Sequence, residues 1–432
     1  MTDATLLSGR PFGFWTATAM VVGGMIGAGI FMLPALIAPY GWIGVIGWII
    51  AISGALPIGY ALAALTRSMP EQSGGVAVTG AVLGPVIGVL VGWSYWISVW
   101  TAIAAIAGTA VAYLGVFVPW LGATPLNGAL ATIALIWLLT LTNLAGAKLA
   151  GRIQVVTTVL KLLPLLAVIA ILSGLWARGT ATAPLWPGTG PGYGGLTAAV
   201  TLALFPLVGF EAAGLVAARV SDPARNVMRA TMLGIVLTGM LYILISSGIA
   251  FALPAQKVMA STAPFALFVE TFWGRGAGLV VAAFAAISAI GALNCWVLVQ
   301  GEVPLGMARA GLLPAWFGRV SKRDVPVGVL LLSSTLASLL VLSTASRSLG
   351  KAFEFAALLT TSSALWLYLA ICVAALVRRV AVPAAALGVP FTLWALWGAG
   401  VEASGWSLAL MLTALPVYWW DRRAGDLGAV TS

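Results

Sequence analysis

Along this 432-residue chain, long apolar stretches follow one another with only short polar punctuation between them. A representative stretch, "VVAAFAAISAIGALNCWVLV" at positions 280–299, shows neither the period of two of a strand nor a polar face. Transmembrane barrel strands need apolar/polar alternation over about ten residues, so a barrel is excluded. Crossing the hydrocarbon core as a helix takes about 20 apolar residues. The runs predict 12 such spans, centred roughly at residues 25, 55, 100, 135, 163, 207, 240, 285, 337, 363, 392 and 412. The expected fold class is an all-α polytopic membrane protein.

Two spans carry interruptions. The stretch "VVGGMIGAGIFMLPA", Val21 to Ala35, lies in a segment without charge between Phe12 and Arg67, yet has glycines at 23, 24, 27 and 29. The sixth span carries "LFPLVGFEAAG", Leu204 to Gly214, in which Pro206 and Gly209 stand beside an acid, Glu211. Paired interruptions in corresponding spans of two halves point to an inverted-repeat transporter with its site between the broken helices. The expected organisation is one transmembrane domain over residues 1–432. Repeat one covers about 10–176, repeat two about 195–377, and two additional helices about 383–420. At a break, backbone N–H groups can hold a carboxylate and backbone C=O groups an ammonium. The plain alternative is that Gly23 and Gly27 form a small-xxx-small face for helix packing.

Composition agrees with the spans: 61% of residues are hydrophobic and 7% charged, against about a quarter charged in soluble domains. The net charge of +10 is dispersed into short loops rather than gathered on one face, so nucleic acid is not expected as a partner. Of 21 Lys and Arg, Arg178, Lys257, Arg275, Arg347 and Lys351 fall in one set of alternate loops and Lys161 inside a span. The remainder fall in the opposite set, which places both termini in the cytoplasm by the positive-inside rule. No cleavable signal is expected before the first span. Cys295 and Cys372 fall within spans, which argues against a disulfide framework. The chain has no histidine, two distant cysteines and no phosphate-binding G-x-x-x-x-G-K-[ST] loop. A zinc site, a nucleophile–histidine triad and direct ATP coupling therefore lack support, and no enzyme activity, metal or cofactor is expected.

Ionisable groups at membrane depth are costly and so are functional candidates. Lys161 lies in the fifth span and Glu211 just past the sixth-span interruption; each is read either as a coupling or gating group or as a hydrogen-bonded structural one. Tyr95, Phe205, Trp296 and Tyr368 fall near the middles of the third, sixth, eighth and tenth spans, where flat side chains could close over a solute.

Four stretches carry a resemblance: "GGMIGAGIFMLPA", "GRIQVVTTVLKLLP", "LFPLVGFEAAG" and "SDPARNVMRA". Together they are similar to the amino acid, polyamine and organocation (APC) superfamily, and within it to the arginine/agmatine antiporters and alanine-serine-cysteine exchangers. The resemblance implies a five-plus-five inverted repeat with broken first and sixth helices and two extra helices. It implies that the N–H groups of Ile26, Gly27, Ala28 and Gly29 receive a substrate carboxylate and the carbonyls of Met25, Phe205 and Val208 its ammonium. It further implies an aromatic gate at Phe205 with Trp296, and an inner gate of Tyr95, Glu211 and Tyr368. Lys161 resembles the fifth-span lysine that replaces sodium in proton-coupled and neutral amino acid members. The side-chain pocket falls on Ser98, Val99, Ile103, Trp296 and Thr360, with Ile103 where the arginine antiporters have an asparagine.

The expected function is sodium-independent amino acid transport by alternating access, as an exchanger or with proton coupling, at the inner (plasma) membrane. Ser98, Val99 and Ile103 favour a neutral substrate. The alternatives are a basic amino acid or polyamine antiporter and, from another class, a membrane receptor that binds an amino acid without moving it. Expected partners are the amino acid, protons as candidate coupling ions, the lipid bilayer and, as a candidate assembly, a homodimer.

Overall fold

A computed structural model describes residues 13–69, 72, 74–144, 160–180, 192–211 and 220–420. Helices and their connections make up the described chain. In order they are α1 (Phe14–Met25), α2 (Gly29–Ile37), α3 (Trp42–Ser68), α4 (Gly74–Leu83), α5 (Pro85–Leu114), α6 (Pro125–Leu144), α7 (Leu162–Ala177) and α8 (Gly192–Leu204). Then come α9 (Pro223–Tyr242), α10 (Pro264–Trp273), α11 (Arg275–Arg309), α12 (Val327–Ser343), α13 (Leu349–Val377), α14 (Val382–Gly398) and α15 (Gly400–Leu412). Prolines open α5 and α10 at their first turn, where a missing N–H costs no helical bond. Beyond Tyr242, α9 widens into a π-turn, Ile243–Ser247, before a last helical turn, Gly248–Ala252.

Among the described residues, seven helices are long and apolar enough to cross a membrane, or eight counting the bent pair α1 and α2. Of the shorter apolar helices, those at Leu162–Ala177, Gly195–Leu207, Val327–Ser343 and Val382–Gly398 lie at the other four expected span positions. They span 10–17 residues within the described chain, so length alone does not establish the count of 12. The fifth span, in which Lys161 is expected near the middle, lies partly outside the described residues. In the described part Lys161 stands at the N-cap of α7.

Burial sorts these helices. In α5 the apolar stretch is 89% buried, in α13 72%, and in the helix running from Gly400 to Trp420 only 22%. The chain is thus built around α5, with α11 and α13 packed along it. Because lipid is as apolar as the side chains it would replace, helix pairs in a membrane rely on close packing and interhelical hydrogen bonds. Ser94 Oγ on α5 donates to the Ser363 carbonyl on α13 at 2.8 Å, and the hydroxyls of Thr101 and Thr360 lie 2.9 Å apart across the same seam. Trp96 Nε1 donates to Ser333 Oγ on α12 at 2.9 Å. A second seam joins α6, α11 and α12 through Asn143 Nδ2 to Asn294 Oδ1 (3.0 Å), Gln300 Nε2 to Ser334 Oγ (2.9 Å) and the Thr140 and Ser334 hydroxyls (2.7 Å).

Both expected interruptions are present. The first span bends by 52° between Met25 and Gly29. In the second, α8 gives way to a 3₁₀ turn, Phe205–Leu207, after which Val208 turns extended (ψ 132°) and Gly209 takes φ 112°. That conformation is closed to most L-residues. A Cβ on Gly209 would also lie 3.3 Å from the Gly24 carbonyl oxygen and 3.7 Å from the Met25 nitrogen. The two interruptions therefore meet backbone to backbone. Gly27 is different, since a Cβ there would come no closer than 3.9 Å to Met25 O and 4.0 Å to Ala292 Cβ. Close helix packing is not what requires glycine at 27.

Gly209→Ala should lower stability by about 1–3 kcal/mol, because the left-handed conformation and the contact with Gly24 both oppose it. Gly27→Ala should change the thermal unfolding midpoint little. Equal midpoints for the two purified variants would contradict this account of the second break.

Candidate functional site

A helix that ends inside a protein leaves its last carbonyls and the next helix's first N–H groups without partners. At the first break the carbonyls can be followed one by one. Val22 O keeps its helical bond, from Ile26 N at 2.8 Å. Gly23 O receives Lys161 Nζ at 2.7 Å. Met25 O receives Gly27 N at 2.8 Å and the Tyr242 hydroxyl at 2.6 Å. The N–H groups are treated differently. Phe31 N reaches Ala28 O at 3.1 Å, but Ala28, Gly29 and Ile30 have no acceptor among the described residues. Among the described residues the break thus presents unpaired donors at Ala28, Gly29 and Ile30 and unpaired carbonyls at Gly24, Ile26 and Gly27, and the donors at the start of α2 are suited to an anion.

This redistributes the expected contacts. Ile26 and Gly27 already use their N–H groups within the chain, whereas Ala28 and Gly29 do not, and Ile30 joins them. Among the carbonyls expected to face an ammonium, Met25 is occupied by Tyr242, Phe205 receives Val208 N at 3.3 Å, and Val208 receives no donor from the described residues.

Phe205 lies over the free donors. A Cβ on Gly29 would come within 2.9 Å of its ring, and the ring meets Phe353 edge-on at 5.6 Å and 88°. Beside the second break, under Val208, Phe210 and Tyr368, the remaining void is about 10 Å³, near the minimum for one water. The Phe205 ring, rather than this void, is what stands against Gly29.

Glu211 sits below the second break and is buried. Three donors converge on it: the Tyr95 hydroxyl at 2.8 Å, the Tyr368 hydroxyl at 3.0 Å and Gly209 N at 3.1 Å. These join α5, α13 and the second break through a single carboxyl group. Phe210 and Tyr368 add a ring contact at 4.9 Å. Tyr95, Val99 and Ile103 are spaced i, i+4, i+8 and so form one stripe of α5. Since Tyr95 reaches Glu211, this stripe faces the broken sixth span. Val99 and Ile103 are fully buried on it.

The pocket hydroxyls are already engaged: Ser98 Oγ donates to Tyr95 O at 2.6 Å, and Thr360 pairs with Thr101. Trp296 is half-buried on α11, and none of its ring contacts ties it to Phe205. Lys161 is buried, with Cys295 of α11 close enough to interact with its charge. Both cysteines are free thiols.

Two tyrosines went unnoticed in the sequence. Tyr242 holds the end of α1 through Met25 O and packs on Trp48 at 5.4 Å. Tyr113 donates to Phe31 O of α2 at 2.9 Å and accepts from Phe265 N at 3.3 Å. The available signal was general: a phenol hydroxyl inside an apolar run needs a partner, and orphan carbonyls at a break offer one.

Residues 12–419 match the family described as amino acid permease. The chain belongs to that family. As a permease of the APC superfamily it is a membrane transporter, not an enzyme. Over 346 residues, 79% of this chain and 77% of the relative, the permease is 32% identical to the "Cadaverine/lysine antiporter" of Escherichia coli K12. It is 28% identical over 398 residues to the "Putrescine transporter PotE" of the same organism, covering 89% of this chain and 90% of that one. The protein of that name in Haemophilus influenzae is 29% identical over 342 residues, 78% of this chain and 77% of its own.

Tyr95→Phe and Tyr368→Phe should each lower stability by about 1–3 kcal/mol, the range for hydrogen bonds to a charged or buried partner. Because both phenols end on one carboxyl group, the double variant should depart from the sum of the singles. Thermal unfolding of the four proteins measures this. Strict additivity would show that the phenols act independently.

Proposed function

We propose that this permease is an antiporter of cationic amino acids and diamines at the cell inner membrane, working by alternating access with both termini in the cytoplasm. The observation that carries the proposal is the 32% identity, over 79% of the chain, with a protein named for cadaverine and lysine. The proposal replaces the neutral substrate favoured by the pocket residues with the basic alternative. Its architecture is the five-plus-five inverted repeat of 12 spans, with α1 and α2 as the first broken span and α8 leading into the sixth.

In this reading the carboxylate of lysine binds the N–H groups of Ala28, Gly29 and Ile30 after Phe205 swings off Gly29. Its α-ammonium turns to the carbonyls of Phe205 and Val208. A diamine has no carboxylate and leaves the α2 donors empty, so the two substrates of an exchange would bind unequally at this break. Glu211 is the buried acid nearest the pocket, and Tyr95 and Tyr368 form the inner gate with it. Lys161, bonded to Gly23 O, supplies a fixed cation between α1 and α7 and makes sodium unnecessary.

A neutral amino acid remains a second reading. It is favoured by the apolar wall of Val99 and Ile103 and by the engaged hydroxyls of Ser98 and Thr360. Burying a charged side chain there without acceptors costs several kcal/mol, while an aliphatic one gains about 0.8 kcal/mol per methylene.

Counterflow of labelled lysine into lysine-loaded proteoliposomes separates these readings. Unlabelled lysine, cadaverine and putrescine should compete about tenfold or more better than leucine or alanine. The reverse order would favour the neutral reading, and a protein that binds without counterflow would be a receptor. Lys161→Ala should reduce counterflow sharply or change its pH profile. Wild-type rate, affinity and profile in that variant would leave the lysine without a coupling role.

A further inference from the structure

Away from the transport site, a groove of about 640 Å³ opens between the start of α5, the turn after α11 and the chain end beyond α15. That volume lies within the roughly 300–1,000 Å³ of sites that enclose small molecules. Trp93, Trp316, Phe317, Leu332, Val417 and Trp420 line it. Its floor is fixed: Trp93 Nε1 donates to Thr413 Oγ1 at 3.0 Å, and the Trp93 ring packs against Trp96 at 4.7 Å and Phe317 at 5.9 Å. Its rims are open, with Trp316 43% and Trp420 79% exposed. The indole N–H groups of these two rim residues have no acceptor among the described residues.

The groove's lining segment, ending at Phe317, leads along the chain into a basic turn. Arg319 N donates to the Trp316 carbonyl at 3.3 Å, and Ser321 N to Val325 O at 2.8 Å closes the turn that carries Lys322. Asp324, the acid of this turn, points to Arg309 at 3.7 Å. Arg319 and Lys322 are exposed and make no ion pair among the described residues. An apolar, aromatic-lined slot with two free indole donors at its rim, and two exposed cations in the turn three and six residues after its rim residue Trp316, is complementary to an acyl chain below an anionic headgroup. A second copy docked symmetrically on the same face would instead bring like charges together.

We propose that this groove is a binding site for an acidic phospholipid. One acyl chain lies along Trp93, Phe317 and Val417, and the headgroup phosphate is held by Arg319 and Lys322 with Trp316 and Trp420 at its edge.

The test uses the full-length protein, delipidated in detergent and titrated separately with phosphatidylglycerol, phosphatidylcholine and inorganic phosphate. Native mass spectrometry counts bound lipid and thermal unfolding reports stabilisation. Phosphatidylglycerol should bind and raise the midpoint, while phosphatidylcholine and phosphate should do neither. The Arg319→Ala/Lys322→Ala variant should weaken phosphatidylglycerol binding by roughly tenfold or more with its lipid-free midpoint unchanged. Trp316→Ala should also weaken it. Equal binding of phosphatidylcholine, equal stabilisation by phosphate, or full retention of phosphatidylglycerol by the double variant would overturn the proposal. So would a change from dimer to monomer in Trp316→Ala with lipid binding intact, which would assign the face to a second copy.

Discussion

A backbone polar group freed inside a membrane must find a partner in the protein, because lipid supplies none and each orphan costs several kcal/mol. The rest of this structure follows from how that demand is met at two breaks. At the first, two carbonyls are taken by side chains from elsewhere: Lys161 beside α7 on Gly23, and Tyr242 of α9 on Met25. At the second, Gly209 N turns to Glu211, which also gathers Tyr95 of α5 and Tyr368 of α13. Each break is thereby tied to helices that are remote in sequence. A movement of either half-span has to exchange these bonds rather than simply lose them.

The partners are unequal in kind. Donors have been brought to the carbonyls of Gly23 and Met25, whereas Ala28, Gly29 and Ile30 find no acceptor among the described residues and the Phe205 ring lies against Gly29. A ring can leave without leaving a buried polar group unpaired, and a carboxylate arriving there gains several hydrogen bonds at once. On the α1 side Gly23 and Met25 are committed to Lys161 and Tyr242, and on the α2 side three donors stay open.

Much of this was legible in the sequence. Clustered glycines in an uncharged run and Pro206 with Gly209 near Glu211 marked both breaks, because only residues that weaken a helix can repeat that way in a span. The convergence of Tyr95, Glu211 and Tyr368 came from family resemblance rather than from spacing. Less legible was which backbone groups remain free. Periodicity places residues on helix faces but does not follow single carbonyls, so Ile26, Gly27 and Met25 were expected at the ligand when their polar groups are paired internally. Tyr113 and Tyr242 were missed because each looks like an ordinary span residue until its hydroxyl partner is known. Substrate class was the least legible. Val99 and Ile103 are buried and apolar whatever is transported, so they do not fix the substrate class.

The π-turn at Ile243–Ser247 bears on how relatives can be compared. A π-turn closes over five residues instead of four, which amounts to one residue inserted into an otherwise regular helix. Residues before and after it therefore keep separate phases. Tyr242, just ahead of the turn, faces Met25 and Trp48, whereas Ile249 and Ala250 beyond it follow another register. Where a relative has a plain α-helix at this place, its chain will be one residue shorter there. An ungapped alignment would then bring a neighbour on a different face opposite the tyrosine that holds the first break.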